Sequence, residues 1–356
     1  MIRIVLLAIA FLLKVFDAAA STDSGDELTV AQQRQIATIK HRTAERVVTS
    51  VRRLTRTLAD VSTIQSDLQQ AVFLDQPDAR DELSIQARVF QGQIIRLALV
   101  TKLSLPCGSD SWLQVFTFRD GGWSEALRWQ SPSYRSISAA FDSFQYELSP
   151  IDAEGHWFVA TAHLAPWCSS TWSTIFYNAL SPRKTSIQPL ELFKGSDPIW
   201  WGGTEIDELS IDGQTVRLRF EGNSVDEERF TRVVLRNFKI SGNSVKRIGP
   251  IAETSQDFLE EWIASPWKTV ADWSSAQELQ NLRRVHENIE LTRHRGYLEF
   301  GPTIGCAAAS LSEIEVVLHG VAEKPVYFSV RNDAGYWLAK ASTHHDDSCS
   351  SGIRAP

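Results

Sequence analysis

Beyond its first 20 residues, this chain of 356 residues contains no second long apolar run. It also contains no C-x-x-C pair and no G-x-S-x-G sequence. The missing cysteine pair argues against zinc-ribbon or thioredoxin-type chemistry, and the missing serine motif against a nucleophile on a strand-to-helix elbow. We therefore predict a mature chain without a membrane span, a metal site or a cofactor.

Positive charge is also in short supply, because 36 Lys and Arg residues stand against 43 Asp and Glu residues, for a formal net charge of −7. Nucleic acids and anionic membranes are bound by concentrated basic surfaces. The acidic balance thus argues against a nucleic-acid partner. A mild net charge mainly keeps a protein in solution, so it identifies no partner by itself.

The N-terminus has the three parts of a cleaved secretory signal. Arg3 supplies a positive start, Ile4 to Leu13 form an apolar core, and Ala18 to Ala20 offer a small-residue cleavage site. The ten-residue core is too short to cross a bilayer, which takes about 20 apolar residues. We predict a signal peptide over residues 1–20 and export to the periplasm or the extracellular space. Because Lys14 and Asp17 follow the core, an uncleaved amphipathic leader is the alternative.

A helical segment is predicted over residues 21–80, since residues 28–75 contain neither Pro nor Gly. Steps of four and three residues join Val47, Val51, Leu54, Leu58 and Val61, which is helical spacing. The repeats are fewer than a coiled coil needs, so the favoured interpretation is a helix packed on its own β domain. Self-association through this basic helix is the alternative.

A mainly β region follows, predicted over residues 81–252, in which Glu-Leu-Ser recurs at Glu82, Glu147 and Glu208. The steps of 65 and 61 residues predict repeated β modules of about 60 residues, arranged as a propeller or as tandem sheets. A weaker fourth echo is the stretch Ser310–Leu318. We interpret the motif as a strand-start phrase, so we expect no active site on it.

Four cysteines in an exported chain predict disulfides, and three pairings are possible. Cys107 and Cys168 occupy similar Ser-rich hairpin tips of neighbouring modules, which favours a bond between them. Cys306–Cys349 then follows by subtraction.

Residues 253–292 have a helical residue pattern and are predicted as a helical insertion. A C-terminal β segment with a tail is predicted over residues 293–356. The tail carries "THHDDSC", in which His344, His345 and two aspartates are potential metal ligands. Neighbouring ligand residues at a chain end seldom form a metal site before the metal binds. We expect a loosely ordered tail that Cys349 anchors.

Two groups of residues could carry chemistry. Loop carboxylates are the first group, although acids are frequent in turns for local reasons and no pair stands out: Asp142, Asp152, Asp207, Asp212 and Glu221. The second is the pair Trp200 and Trp201, the candidate ligand-binding residues, whose rings would face opposite ways in a strand. His156 and His163 are interpreted as structural.

The repeats, together with no recognisable catalytic constellation, favour a binding or scaffolding protein whose ligand is a glycan or a protein. The alternative is a secreted hydrolase that acts on glycans through loop carboxylates. A pair of carboxylates about 5–10 Å apart in a deep pocket would favour the hydrolase. Scattered acids on a shallow surface would favour binding.

Overall fold

The structure is a computed structural model that describes residues 29–54, 61–73, 83–104, 109–130, 143–165, 172–200, 206–249, 251–320, 324–333 and 335–354. The chain divides into two compact units, Met1–Ser196 and Asp197–Pro356. Seventeen strands in four sheets occur among the described residues. The predicted class, mainly β with an N-terminal helical segment and a later helical insertion, is confirmed.

The first unit contains two helices and two four-stranded sheets, and the unit boundary falls within its last strand. The helices are α1 (Val30–Val51) and α2 (Val61–Phe73). Sheet 1 consists of β1 (Leu83–Phe90), β2 (Arg96–Ser104), β3 (Ser109–Arg119) and β4 (Gly122–Gln130). Sheet 2 consists of β5 (Phe144–Leu148), β6 (Val159–Ala165), β7 (Trp172–Ser181) and β8 (Leu190–Trp200).

Sheet 1 is the middle layer of the first unit. On one face, its buried side chains pack with aliphatic residues of both helices, among them Val47 and Val51 of α1 and Leu68 of α2. On the other face, Val100 and its neighbours pack with residues of sheet 2 such as Val159. The favoured interpretation of the N-terminal helix therefore agrees with the structure. Helix α1 ends at Val51, Leu54 of the predicted seam packs on the same core after the helix, and Leu58 lies outside the described residues.

The second unit contains a four-stranded and a five-stranded sheet with helices between them in the chain. Sheet 3 consists of β9 (Ile206–Asp212), β10 (Thr215–Asn223), β11 (Thr231–Ser241) and β12 (Ser244–Ile248). The helices are α3 (Ser255–Ala264), α4 (Trp267–Val270), a 3₁₀ turn (Ala271–Trp273) and α5 (Leu279–Arg293). Sheet 4 consists of β13 (Tyr297–Cys306), β14 (Leu311–His319), β15 (Lys324–Asn332), β16 (Tyr336–Ser342) and β17 (Cys349–Arg354).

The helices of the second unit cover one face of sheet 4. Phe258 and Trp262 of α3 and Ile289 of α5 share a buried core with Ile314 and Phe328 of the sheet. The start of α3 is fixed by Thr254, whose side-chain oxygen accepts a hydrogen bond from the Asp257 backbone N–H at 3.1 Å. Such a cap satisfies a backbone donor that the first helical turn leaves unpaired.

The sheets agree with the predicted module length. The first strands of sheets 1, 2 and 3 begin at Leu83, Phe144 and Ile206, and each of these sheets follows its strands in chain order. The motif leucines Leu83, Leu148 and Leu209 are all buried on those first strands. They stand first, last and fourth in their strands, so the motif does not mark a fixed strand start. The fourth echo lies on β14, the second strand of its sheet in chain order.

The C-terminal segment is more ordered than expected. Cys306 and Cys349 form the predicted disulfide, and Ile304 of β13 pairs with Arg354 of β17. The expectation of a loosely ordered tail is therefore wrong, because the chain end adds an edge strand to sheet 4. Residues 105–108 and 166–171 lie outside the described residues, so the Cys107–Cys168 bond stays a prediction.

Candidate functional site

Of the two tryptophans predicted as a ligand platform, Trp200 is the last residue of β8 and Trp201 lies outside the described residues. The aromatic platform therefore stays a prediction. Residues 1–28, which hold the predicted signal peptide, also lie outside the described part of the chain. None of the helices within the described residues has the length and apolar character needed to span a membrane.

The loop carboxylates of sheet 3 are engaged in surface ion pairs. Asp212 pairs with Arg217 at 2.8 Å, and Asp207 pairs with Arg219. Arg219 also pairs with Glu253 at 2.7 Å, which raises the pKa of the guanidinium. Exposed ion pairs of this kind contribute little to stability. They also leave these acids on the surface and not in a pocket, while Asp142 lies outside the described residues.

Asp152 is in a tight turn with Glu154 and His156. Its carboxylate accepts hydrogen bonds from the backbone N–H groups of Glu154 and His156 at 3.0 and 2.7 Å, which holds the Asp152 pKa below its usual value. Potential metal-ligand atoms of the three side chains lie within 4.8 Å of one another. The turn accounts for this arrangement, and exposed acids of this type do not by themselves make a metal site.

Sequence reasoning missed a buried charge cluster at α3. Glu261 accepts from Arg232 and Arg247, each at 2.7 Å, and pairs with Arg236 at 2.9 Å. Burial alone would raise the pKa of Glu261, but Arg236, Arg232 and Arg247 hold it well below its usual value. The neighbouring carboxylate of Glu260 has a pKa raised by burial. Both side chains are sealed from water, so the cluster is structural.

The signal for this cluster was present in the sequence. Arg232 and Arg236 are separated by an even number of residues in a predicted strand, so they share one face. Val234 and Ile240 lie on that same face and are buried. Two arginines on an apolar strand face require buried countercharges, which Glu260 and Glu261 supply.

An open cleft lies between α5 and one end of sheet 4, with a volume of about 750 Å³. We call it the α5 cleft. Its walls combine aliphatic side chains with amides, hydroxyls and two arginines: Asn281, Arg284, Val285, Asn288, Ile289, Leu291, Thr292 and Arg295 from the α5 segment, and Leu318, Val326, Ala341, Ser342 and Thr343 from the sheet side.

The helix contributes one continuous stripe to the cleft. Arg284, Asn288 and Leu291 follow one another at steps of four and three residues, which places them along one side of the helix, and Arg295 lies in the turn after it. Leu291, on the same side of the helix, is 60% exposed. We call the exposed Leu291 side chain the apolar lip of the cleft. The buried side chains of Ile289 and Leu318 belong to its apolar floor.

A hydrogen-bond relay holds the polar end of the cleft. The Asn281 side-chain N–H donates to the Ala341 carbonyl at 3.0 Å, and Arg284 donates to the Asn281 side-chain oxygen at 3.0 Å. Asn281 thus ties α5 to β16 and orients the Arg284 guanidinium. Neither Asn281 nor Arg284 was a predicted site residue, because the cleft depends on the separation of a helix and a sheet.

The described lining has few groups that could carry out chemistry. None of its thirteen residues is a carboxylate, histidine, cysteine or tyrosine, and its potential nucleophiles are the hydroxyls of Thr292, Ser342 and Thr343. The arrangement can bind and orient a molecule. Among the described lining residues there is no carboxylate or histidine to act as a base on those hydroxyls.

Comparison with known proteins gives few matches. No protein-family model matches the chain, and no curated protein matches it. One solved structure is similar: a mutant of an alpha-L-arabinofuranosidase from Fusarium graminearum in complex with an iminosugar inhibitor. It is 10% identical, has a TM-score of 0.27, and the match covers 74% of this chain and 63% of that protein. The chain therefore spans less than two thirds of its length, and a likeness at this TM-score carries no argument about activity.

Proposed function

We propose that the protein is an exported binding protein and that the α5 cleft is its ligand site. The observation that supports this most directly is the cleft itself, about 750 Å³ with an aliphatic floor, a polar rim and no carboxylate, histidine or cysteine among its described lining residues. Small-molecule sites in proteins commonly have volumes of about 300–1,000 Å³ and a few convergent polar groups. The cleft has both features.

Glycan hydrolysis through loop carboxylates is the less favoured function. Such hydrolysis uses two carboxyl groups that flank the scissile bond in one cavity. Asp207 and Asp212 are engaged with arginines at the surface, and the described lining of the α5 cleft contains no carboxylate. Incubation with a panel of polysaccharides is therefore expected to release no reducing ends. Reproducible release would favour the hydrolase.

The binding proposal is tested with Nile red, a neutral dye whose emission shifts to the blue in an apolar site. The wild-type chain is expected to bind it saturably. Leu291→Gln should weaken binding because it makes the apolar lip polar. Leu279→Gln is the matched control, since Leu279 is a second exposed leucine of α5, 37% exposed, and does not line the cleft.

Loss of dye binding in Leu291→Gln alone supports the α5 cleft as the site. Equal binding by the wild type and both variants would remove the cleft from consideration. Circular dichroism on all three proteins checks that each variant keeps its helices, since glutamine is a good helix former.

A further inference from the structure

We propose that the α5 cleft is built for an anionic amphiphile, a linear aliphatic molecule whose carboxylate is held by Arg284. This inference rests on the proposed binding function and adds the chemical class of the ligand. It is carried by the character of the apolar surface, by the sign of the charge at the rim and by the polar groups around Arg284.

The apolar surface of the cleft is entirely aliphatic. The larger apolar side chains of the lining are Val285, Ile289 and Leu291 from α5 and Leu318 and Val326 from sheet 4, and no aromatic residue is part of the described lining. Ile289 is fully buried, whereas Leu291 is mostly exposed. A flat sugar ring would find no aromatic face to stack on here. A flexible hydrocarbon chain gains contact along the whole floor, and burial of apolar surface is what drives its binding.

The charge of the lining has one sign. Arg284 and Arg295 contribute two positive charges, and none of the described lining residues is acidic. The acids of α5 lie elsewhere on the helix, where Glu287 pairs with Arg283 at 2.8 Å. Two arginines beside an aliphatic floor favour a ligand that is apolar over its length and negative at an end, because guanidinium groups bind carboxylates through paired hydrogen bonds.

Arg284 is the better holder of the head group. Asn281 fixes its guanidinium from one side, and the hydroxyl-bearing residues Ser342 and Thr343 belong to the same lining. Arg295 follows the C-terminal end of α5, where the helix dipole is negative and disfavours an anion. Arg284 and Leu291 are seven residues apart on α5, which is about 10 Å along the helix, so the hydrocarbon would extend from Arg284 past Leu291 toward the end of α5.

The test is calorimetric titration of the full chain with decanoate and with decanol, both below the concentrations at which they aggregate. Decanoate is expected to bind saturably and about tenfold more tightly than decanol, which is the scale of one charge-assisted hydrogen bond. Octanoate should bind more weakly than decanoate, by up to about fourfold for each methylene that is no longer buried.

Three variants locate the carboxylate. Arg284→Gln should weaken decanoate binding about tenfold and leave decanol binding unchanged. Arg283→Gln is the matched control, because it removes the same charge from the adjacent position of the same helix but lies outside the lining. Arg284→Lys keeps the charge and loses the forked geometry, so it should recover part of the affinity.

The outcomes separate the two proposals. Equal binding of decanol and decanoate, or equal loss in Arg284→Gln and Arg283→Gln, would overturn the anionic ligand class and leave the cleft as a site. Binding of Nile red that depends on Leu291, with no binding of decanoate, would do the same. Failure of Nile red, decanoate and decanol alike would overturn both proposals.

Discussion

The helices of the two units are held to their sheets by different means. In the first unit, α1 and α2 bury an aliphatic seam against sheet 1, beside a buried ion pair between Lys40 and Asp110 at 2.9 Å and a partly exposed pair between Glu45 and Arg128 at 3.3 Å. In the second unit, α3 also buries apolar rings, but it places Glu260 and Glu261 among strand arginines. Apolar burial is non-directional and tolerates repacking, whereas a buried charge network depends on every partner. We therefore expect different substitutions and different changes of pH to lower the stability of the two units.

The largest effect is expected from Glu261→Gln in the second unit. The amide cannot replace a negative charge that faces three arginines, so the buried Arg232 and Arg236 would each lose a countercharge. Loss of one partner of a buried network costs about 3–5 kcal/mol of unfolding free energy. Hydrogen exchange in urea, followed on peptides of α3 and of α1, should show the loss in the second unit alone.

Glu287→Gln is the control for Glu261→Gln. Glu287 lies on α5 and makes an exposed ion pair with Arg283 at 2.8 Å, so its removal should cost no more than about 0.5 kcal/mol. If the two variants were equally stable, the α3 cluster would contribute no more than a surface pair.

A smaller effect is expected from Leu68→Ala in the first unit. Leu68 is almost fully buried in the seam between α2 and sheet 1, and truncation of such a leucine costs about 2–5 kcal/mol, depending on how far the site collapses. The loss should be the same in low and high salt because no charge changes. Leu68→Met keeps the volume and should cost less than about 1.5 kcal/mol. A loss in Leu68→Ala that salt alters strongly would contradict an apolar seam.

Acid should destabilise the first unit through His163. This histidine lies on β6 and is buried beside Trp129 and Phe176. Burial lowers the pKa of His163 to about 3 from the ordinary 6.5. Below pH 6.5 the unfolded chain therefore binds a proton that the folded chain refuses. The first unit should lose about 1.4 kcal/mol per pH unit between about pH 6.5 and pH 3.

The contribution of Glu261 to stability is lost in a lower pH range than that of His163. Its pKa is depressed in the folded state, so its contribution is fully present above the ordinary carboxyl value near 4.5 and is lost only as the pH falls toward the depressed value. Between pH 6.5 and pH 4.5, hydrogen exchange should therefore accelerate in the first unit and not around α3. In His163→Gln the acceleration should disappear, and its persistence there would assign the proton uptake to another group.

Sequence patterns predicted the parts of this molecule that depend on local periodicity. The even spacing of Glu-Leu-Ser indicated sheets of about 60 residues, and helical texture located α3 and α5 to within a few residues. The pairing of Glu261 with Arg232 was missed because it joins positions 29 residues apart on different elements. The α5 cleft was missed for a related reason, since Arg284 and Ala341 become neighbours only when the helix packs on its sheet.

The smallest effect concerns the loop that joins β16 to β17. Glu313, 2% exposed, is hydrogen-bonded to His345 and accepts from the Asp346 backbone N–H at 3.1 Å. The hydrogen bond to Glu313 raises the pKa of His345, so this contribution is fully present below pH 6.5 and is lost as the pH rises through the raised value. Its sign is opposite to that of His163, so acid should tighten this loop while it weakens the first unit.

Because the His345 side chain is 41% exposed, water screens the pair, and the Cys306–Cys349 disulfide holds the loop in either state. A histidine titration by NMR should give His345 a midpoint above 6.5, and His345→Gln should speed exchange only at amides of this loop. His344→Gln is the matched control, since His344 contacts its neighbour Thr343 at the surface. If both variants had the same effect, the loop would be held by the disulfide and by β17 pairing, with no part played by the ion pair.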